Sequence, residues 1–173
     1  TARARGRSPG PERFEGRTNV ELKYGRGYVD LIMRDESGRN FEVRARFVSY
    51  VRRFLEERGY MEVETPVLNT ISGGATARPF ITHHNALDID MYMRIATELH
   101  LKRLIVGGIE RVYEIGRIFR NEGMDTRHNP EFTTVELYQA YADLNGMMGR
   151  LEDLPSGAAQ VITGTHDVRW PGH

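Results

Sequence analysis

The sequence contains no cysteine. This absence excludes a disulfide framework, a thiolate-bound zinc and a cysteine nucleophile together, and it is compatible with a reducing compartment. Net charge is missing as well: 24 basic side chains cancel 24 acidic ones across the 173 residues. No global field therefore draws the chain to nucleic acid or to a membrane, and any contact with a polyanion must be local. No run approaches the roughly 18 consecutive apolar residues of a spanning helix. The opening TARARGRSPGPERF lacks the apolar core of a secretory signal. The expectation is a cytoplasmic protein with no membrane partner.

What is present suits a folded chain. At 39% hydrophobic and 28% charged it has material for one domain with a sizeable core, or for part of a larger one. Residues 1–17 differ from the rest. They hold Arg3, Arg5, Arg7, Arg13 and Arg17 among Gly and Pro with almost nothing apolar. Such a stretch buries no core, and reads either as a linker or as a basic arm touching RNA phosphates.

From Asn40 onward, Val43, Phe47, Val51, Phe54 and Leu55 fall on one helical face. Arg52, Arg53, Glu56 and Glu57 take the opposite side, and Gly59 is a natural stop. In MEVETPVL, Met61, Val63 and Val67 predict a strand that Pro66 confines to an edge or an end. DMYMRI alternates like a strand. TELHLKRLIVGG returns to helical spacing through Leu99, Leu101, Leu104 and Ile105, then meets a double glycine. RVYEIGRIFRNE and EFTTVELYQAYA predict two antiparallel strands joined by a long loop. Farther on, Gly146, Gly149 and Pro155 predict an interrupted helix, and THDVRWPGH the start of a strand.

The loop FRNEGMDTRHNPEF is too rich for a solvated turn, which needs only Gly, Pro, Asn or Asp at special backbone positions. Arg120, at the end of the first strand, can aim a planar fork of donors at a carboxylate or phosphate. Glu122, two residues on and expected on the same strand face, could orient that arginine or accept from an exocyclic amine. Phe132 could stack on a flat ring, while Arg127 and His128 could reach distal phosphates. Each residue alone has a plain structural reading, as a surface ion pair, a core ring or a solvated loop histidine. Together they describe a nucleotide site.

The same stretch, extended to FRNEGMDTRHNPEFTTVELYQAYAD, resembles motif 2 of the class II aminoacyl-tRNA synthetases in the form used by lysyl-tRNA synthetases. GGATARPFITHHNALDIDMYMRIATELHLKRLIVGGIERVYEIGRIFRNEG is similar to that family too, and FLEERGYMEVETPVL to its motif 1. The similarity runs from about Phe14 to about Thr165. It is specific, because aspartyl and asparaginyl relatives lack the GGATARPF and RHNPEFT wording.

The resemblance implies an α+β fold, an antiparallel sheet flanked by helices and incomplete at the C-terminus. Residues 1–17 would be a basic linker or the remnant of an N-terminal barrel, and residues 18–173 a partial catalytic domain. It implies that Arg120 holds the ATP α-phosphate and the amino acid carboxylate together. Glu122 would face the adenine and Phe132 stack on it, with His128 and Asn129 near the nucleotide and Arg127 on a phosphate or the acceptor end. Gly74 and Glu98 would hold the lysine α-ammonium, and Glu136 and Tyr138 line the side-chain pocket.

The implied reaction joins L-lysine and ATP into lysyl-adenylate and passes the lysyl group to tRNA(Lys). Magnesium would be held by a motif 3 region after His173, and a homodimer would form through the motif 1 helix. A second reading is a catalytically silent module that dimerises and binds ATP or RNA. A third, a relative that lysylates a protein, fits the missing barrel but not the RHNPEFT wording.

Overall fold

The computed structural model describes Tyr28, Leu31 and residues 35–125 and 128–168. The arginine-rich start, Arg127 and residues 169–173 lie outside the described residues. Two compact units divide the chain, Val51–Pro155 forming one and Thr1–Tyr50 with Ser156–His173 the other. The fold is α+β, as expected, with three long helices and two three-stranded sheets among the described residues.

Helix α1 spans Asp35–Glu56. Its last turns supply core: Val51, Phe54 and Leu55 are buried. Gly59, at φ +77°, ends it. The Gly59 amide donates to the Glu56 carbonyl (2.9 Å) and the Tyr60 amide to that of Leu55 (3.0 Å). That pair of bonds is a Schellman closure, and the buried Tyr60 ring supplies its apolar contact. Earlier on α1, Phe41 and Phe47 are exposed.

The expected MEVETPVL strand is in fact two short ones in different sheets, β1 (Met61–Glu62) and β2 (Leu68–Asn69). Pro66 has no N–H to continue a ladder, and Thr65 turns inward to donate its hydroxyl to Glu114 Oε2 at 2.6 Å. Strands β3 (Ile81–His84) and β4 (Ile89–Met93) form an antiparallel hairpin, and β2 pairs on the other side of β4. Strand β3 had no counterpart among the sequence expectations. All four of its residues are exposed, so no burial alternation marks it. Helix α2 (Glu98–Val106) ends at the double glycine, Gly108 standing at φ +101°.

Strands β5 (Arg111–Phe119) and β6 (Glu131–Gln139) form the predicted antiparallel pair, with β1 parallel to β5 on its other edge. Because Ile118 faces Phe132, Glu114 faces Glu136 and Val112 faces Tyr138, these residues share one side of the sheet. Tyr113 lies on the other side, where its hydroxyl donates to Glu62 at 3.0 Å.

Helix α3 spans Leu144–Thr163 without the expected interruption. Asp143 caps it: its Oδ1 accepts from the Gly146 amide at 2.8 Å, satisfying one of the orphan donors of the first turn. The exposed Gly149 costs about 1 kcal/mol and Pro155, inside the helix, withholds one amide from its ladder, yet the helix runs through both. Residues 164–168 form bends rather than a strand. Within the unit that contains its C-terminal part, Arg46 donates to the Val161 carbonyl (2.5 Å), and Gly157 lies under the Tyr50 hydroxyl where any Cβ would collide.

One buried ion pair organises the larger unit. Arg94 and Glu114 are 6% and 3% exposed. Arg94 Nη1 donates to Glu114 Oε1 (2.5 Å) and to the Thr65 carbonyl (3.0 Å), and Nε to the Arg117 carbonyl (2.8 Å). Gly116 leaves room for the guanidinium, which a Cβ there would strike. Arg94→Met should destabilise the fold by about 3 to 5 kcal/mol, because it strands a buried carboxylate. Urea unfolding measures this. A loss under about 1 kcal/mol would mean that the pair is dispensable.

Candidate functional site

Arg120 follows the last residue of β5, and its amide extends the ladder by donating to the Pro130 carbonyl at 2.8 Å. Its guanidinium carbon lies 5.4 Å from the centroid of the Phe132 ring, within cation–π range. Nε reaches the Ile95 carbonyl at 3.4 Å, which sets the guanidinium beside the turn leading into α2. Both Arg120 and Phe132 are half-buried.

Glu98 is the first residue of α2. Gly74 lies against it: a Cβ built on Gly74 would stand 3.2 Å from that of Ala96 and 3.7 Å from that of Glu98. With φ at +91°, the position favours glycine twice over, by conformation and by space. Glu136 and Tyr138 stand two apart on one face of β6, as their spacing predicts. Burial pushes the Tyr138 phenol up to about 12, with the charges of Glu136 and Glu98 adding to it. Lys102 Nζ, 2.5 Å from Glu98 Oε1, lies 5.9 Å from the centroid of the Tyr138 ring, so the start of α2 and the end of β6 come together there. Glu98 and Gly74 on one side and Glu136 and Tyr138 on the other thus line one acidic region.

Glu114 faces Glu136 directly across the ladder, but Arg94 neutralises it. Among the described residues no cation lies within ion-pair distance of Glu136. The face is thus left with one uncompensated carboxylate, a setting that suits a cationic ligand.

The other nucleotide candidates sit apart from this region. Glu122 is not on the strand face. Its amide donates to the Arg120 carbonyl (3.0 Å), turning the chain away after the ladder ends. Its carboxylate instead accepts from the Arg78 amide at 3.4 Å, while the Asn121 amide donates to the Arg78 carbonyl (2.8 Å). Thr76, Ala77 and Arg78 with Asn121, Glu122 and Gly123 line an open cleft there. His128 is exposed, with Nδ1 2.7 Å from the Asp125 carboxylate, and Asn129 is exposed too.

Sequence reasoning missed Arg94, Glu114, Thr65, Arg78 and Lys102. A signal existed for Glu114, a charge between the apolar Tyr113 and Ile115 of β5, since such a charge is buried only when paired. Among the described residues no group of three or more His, Asp or Glu is placed to hold a metal ion. No helix among the described residues is long and apolar enough to cross a membrane.

The Tyr138 phenol yields a pH prediction. An unfolded tyrosine ionises near 10 and the native one near 12, so its contribution to stability is complete below pH 10 and lost as pH rises toward 12. Glu136→Gln should lower the native value only part of the way, because burial is the larger cause. Ultraviolet titration of the parent against a Tyr138→Phe variant reads this. An unchanged value in Glu136→Gln would place the two groups apart.

Comparison with known proteins bears on the same residues. The family model of tRNA synthetases class II (D, K and N) matches residues 19–169. A lysine--tRNA ligase of Chromohalobacter salexigens is 59% identical over 164 residues, covering 95% of this chain and 33% of that protein. That of Lysinibacillus sphaericus is 57% identical over 162 residues, covering 94% and 32%. That of Streptococcus pneumoniae is 58% identical over 164 residues, covering 95% and 33%. The chain spans about a third of the length of the curated relatives it matches.

Proposed function

The chain belongs to the class II tRNA synthetases of the D, K and N group, and from that footing we propose that it carries the amino-acid-activating site of a cytoplasmic lysine--tRNA ligase. The observation that carries this reading is Glu136 and Tyr138 on the sheet face that also holds Phe132 beside Arg120, with Glu98 packed against Gly74 and linked through Lys102 to the Tyr138 ring.

L-Lysine is a cation at both amine ends. Glu98, with the backbone at Gly74, takes the α-ammonium, and Glu136 with Tyr138 takes the side-chain ammonium. A neutral or acidic competitor would leave these half-buried acceptors unpaired, at about 1 kcal/mol per group. Arg120 receives the lysine carboxylate and the ATP α-phosphate on one guanidinium. A carboxylate oxygen then attacks the α-phosphorus in line, the bond to the β-phosphate oxygen breaks, and pyrophosphate leaves with that electron pair. Arg120 faces the charge that builds on the phosphoryl oxygens, so its contribution is positioning and electrostatic stabilisation rather than proton transfer.

Phe132 offers the adenine a stacking surface, with Glu122, Arg127, His128 and Asn129 along the nucleotide. In the second step the tRNA(Lys) terminal hydroxyl attacks the lysyl carbonyl and AMP departs. The exposed Phe41 and Phe47 on α1 give a homodimer an apolar surface.

Lysine-dependent ATP–pyrophosphate exchange tests the reading. The parent chain should show exchange, and Arg120→Ala should lower it by about 100- to 1,000-fold. Glu136→Gln should raise the lysine KM about 10-fold or more while the ATP KM stays within about twofold. Nucleotide binding without any exchange would favour the silent module. Equal losses for lysine and ATP in Glu136→Gln would remove the side-chain pocket from β6.

A further inference from the structure

Lys102 stands one turn after Glu98 on α2, and its Nζ donates to Glu98 Oε1 at 2.5 Å. The same ammonium lies 5.9 Å from the centroid of the Tyr138 ring. Two of the groups assigned above to the amino acid therefore already face a primary ammonium on a four-carbon stem, and that ammonium belongs to the protein.

We propose that Lys102 is an internal placeholder for the substrate's α-ammonium, holding the Glu98 carboxylate while the site is empty and ceding it when lysine enters. The inference rests on the reading of the site given above. The contact is of the right strength for this role. The two side chains are 55% and 35% exposed, and a solvated pair four residues apart on a helix favours its bound geometry only about twofold. Water and an incoming ammonium can displace it, which they could not do to the buried Arg94–Glu114 pair.

The placeholder has a use. A carboxylate at a helix start is free to swing, and a neighbouring cation selects the rotamer that points toward the sheet. It also has a cost, since the positive charge of Lys102 opposes the arriving cation. The sign of its removal follows from Coulomb's law. Were Lys102 instead to stay on Oε1 and merely present Oε2 to the substrate, its removal would weaken lysine binding.

Lys102→Met keeps the stem and deletes the charge. Isothermal titration of the 173-residue chain with L-lysine should give a dissociation constant about two- to fivefold lower than the parent's at low ionic strength. The gain should shrink as salt screens the site. Lys102→Gln should repeat the gain, Lys102→Arg should restore the parent value, and ATP affinity should not move. An unchanged or higher lysine dissociation constant in both Lys102→Met and Lys102→Gln overturns the placeholder. Glu98→Gln separates the two levels of the argument: retained lysine affinity in that variant, or no lysine binding by the parent chain, would overturn the reading of the site and the role of Lys102 with it.

Discussion

The Arg94–Glu114 pair is the constraint on which the rest of the larger unit depends. Taking two charges out of water costs several kcal/mol per ion, and the cost is recovered only when geometry and the remaining hydrogen bonds are complete. Here they are. Thr65, Glu114 and the Arg117 carbonyl take donors of one guanidinium. The Arg94 amide donates to the Val67 carbonyl (2.8 Å), and its own carbonyl accepts from the Phe119 amide (3.1 Å). One residue thereby ties the end of β4 to β5 and to the link between β1 and β2. An arrangement so dependent on completeness is close to all-or-none, and it fixes the smaller sheet against the larger one.

The acidic region inherits its order from that junction. With the smaller sheet fixed, the chain leaves Arg94 through Ile95 to Thr97 and delivers Glu98 at the head of α2. The Ile95 carbonyl on the way gives Arg120 an acceptor, so the same turn serves both ends of the site. Gly74 closes the approach from the other side because it has no side chain to hold the 73–78 segment off the helix. Of two carboxylates facing each other across β5 and β6, Arg94 neutralises Glu114, while no cation among the described residues lies within ion-pair distance of Glu136.

Much of this was legible in the sequence, for identifiable reasons. Strands β5 and β6 alternate, and helices α1 and α2 have strong periodicity and glycine stops, so the elements form as expected, although Phe47 and Leu99 of the expected apolar faces are exposed. Glu136 and Tyr138 share a face because strand geometry allows nothing else. Strand β3 escaped because all its side chains are exposed and show no burial alternation. The division of MEVETPVL into two sheets escaped because Thr65 turns toward a partner 49 residues away. The continuity of α3 through Gly146, Gly149 and Pro155 escaped because its support is long-range: past Pro155 the helix is held by Arg46 on the Val161 carbonyl and by Tyr50 over Gly157, contacts that no local pattern reveals.

The sequence by itself determined the family, the order of most elements and the residue types of the site, since these rest on short-range patterns that a strand or helix must obey. Only the tertiary structure decided which charges are spent on holding the fold and which are left for a ligand. Glu98, Glu114 and Glu136 look alike in the sequence. Their roles diverge because Arg94, from a different sheet, reaches one of them in the dry interior, while the exposed Lys102 only borrows another. Coulomb energy and desolvation depend on distance and burial, and neither is a property of a residue's place in the chain.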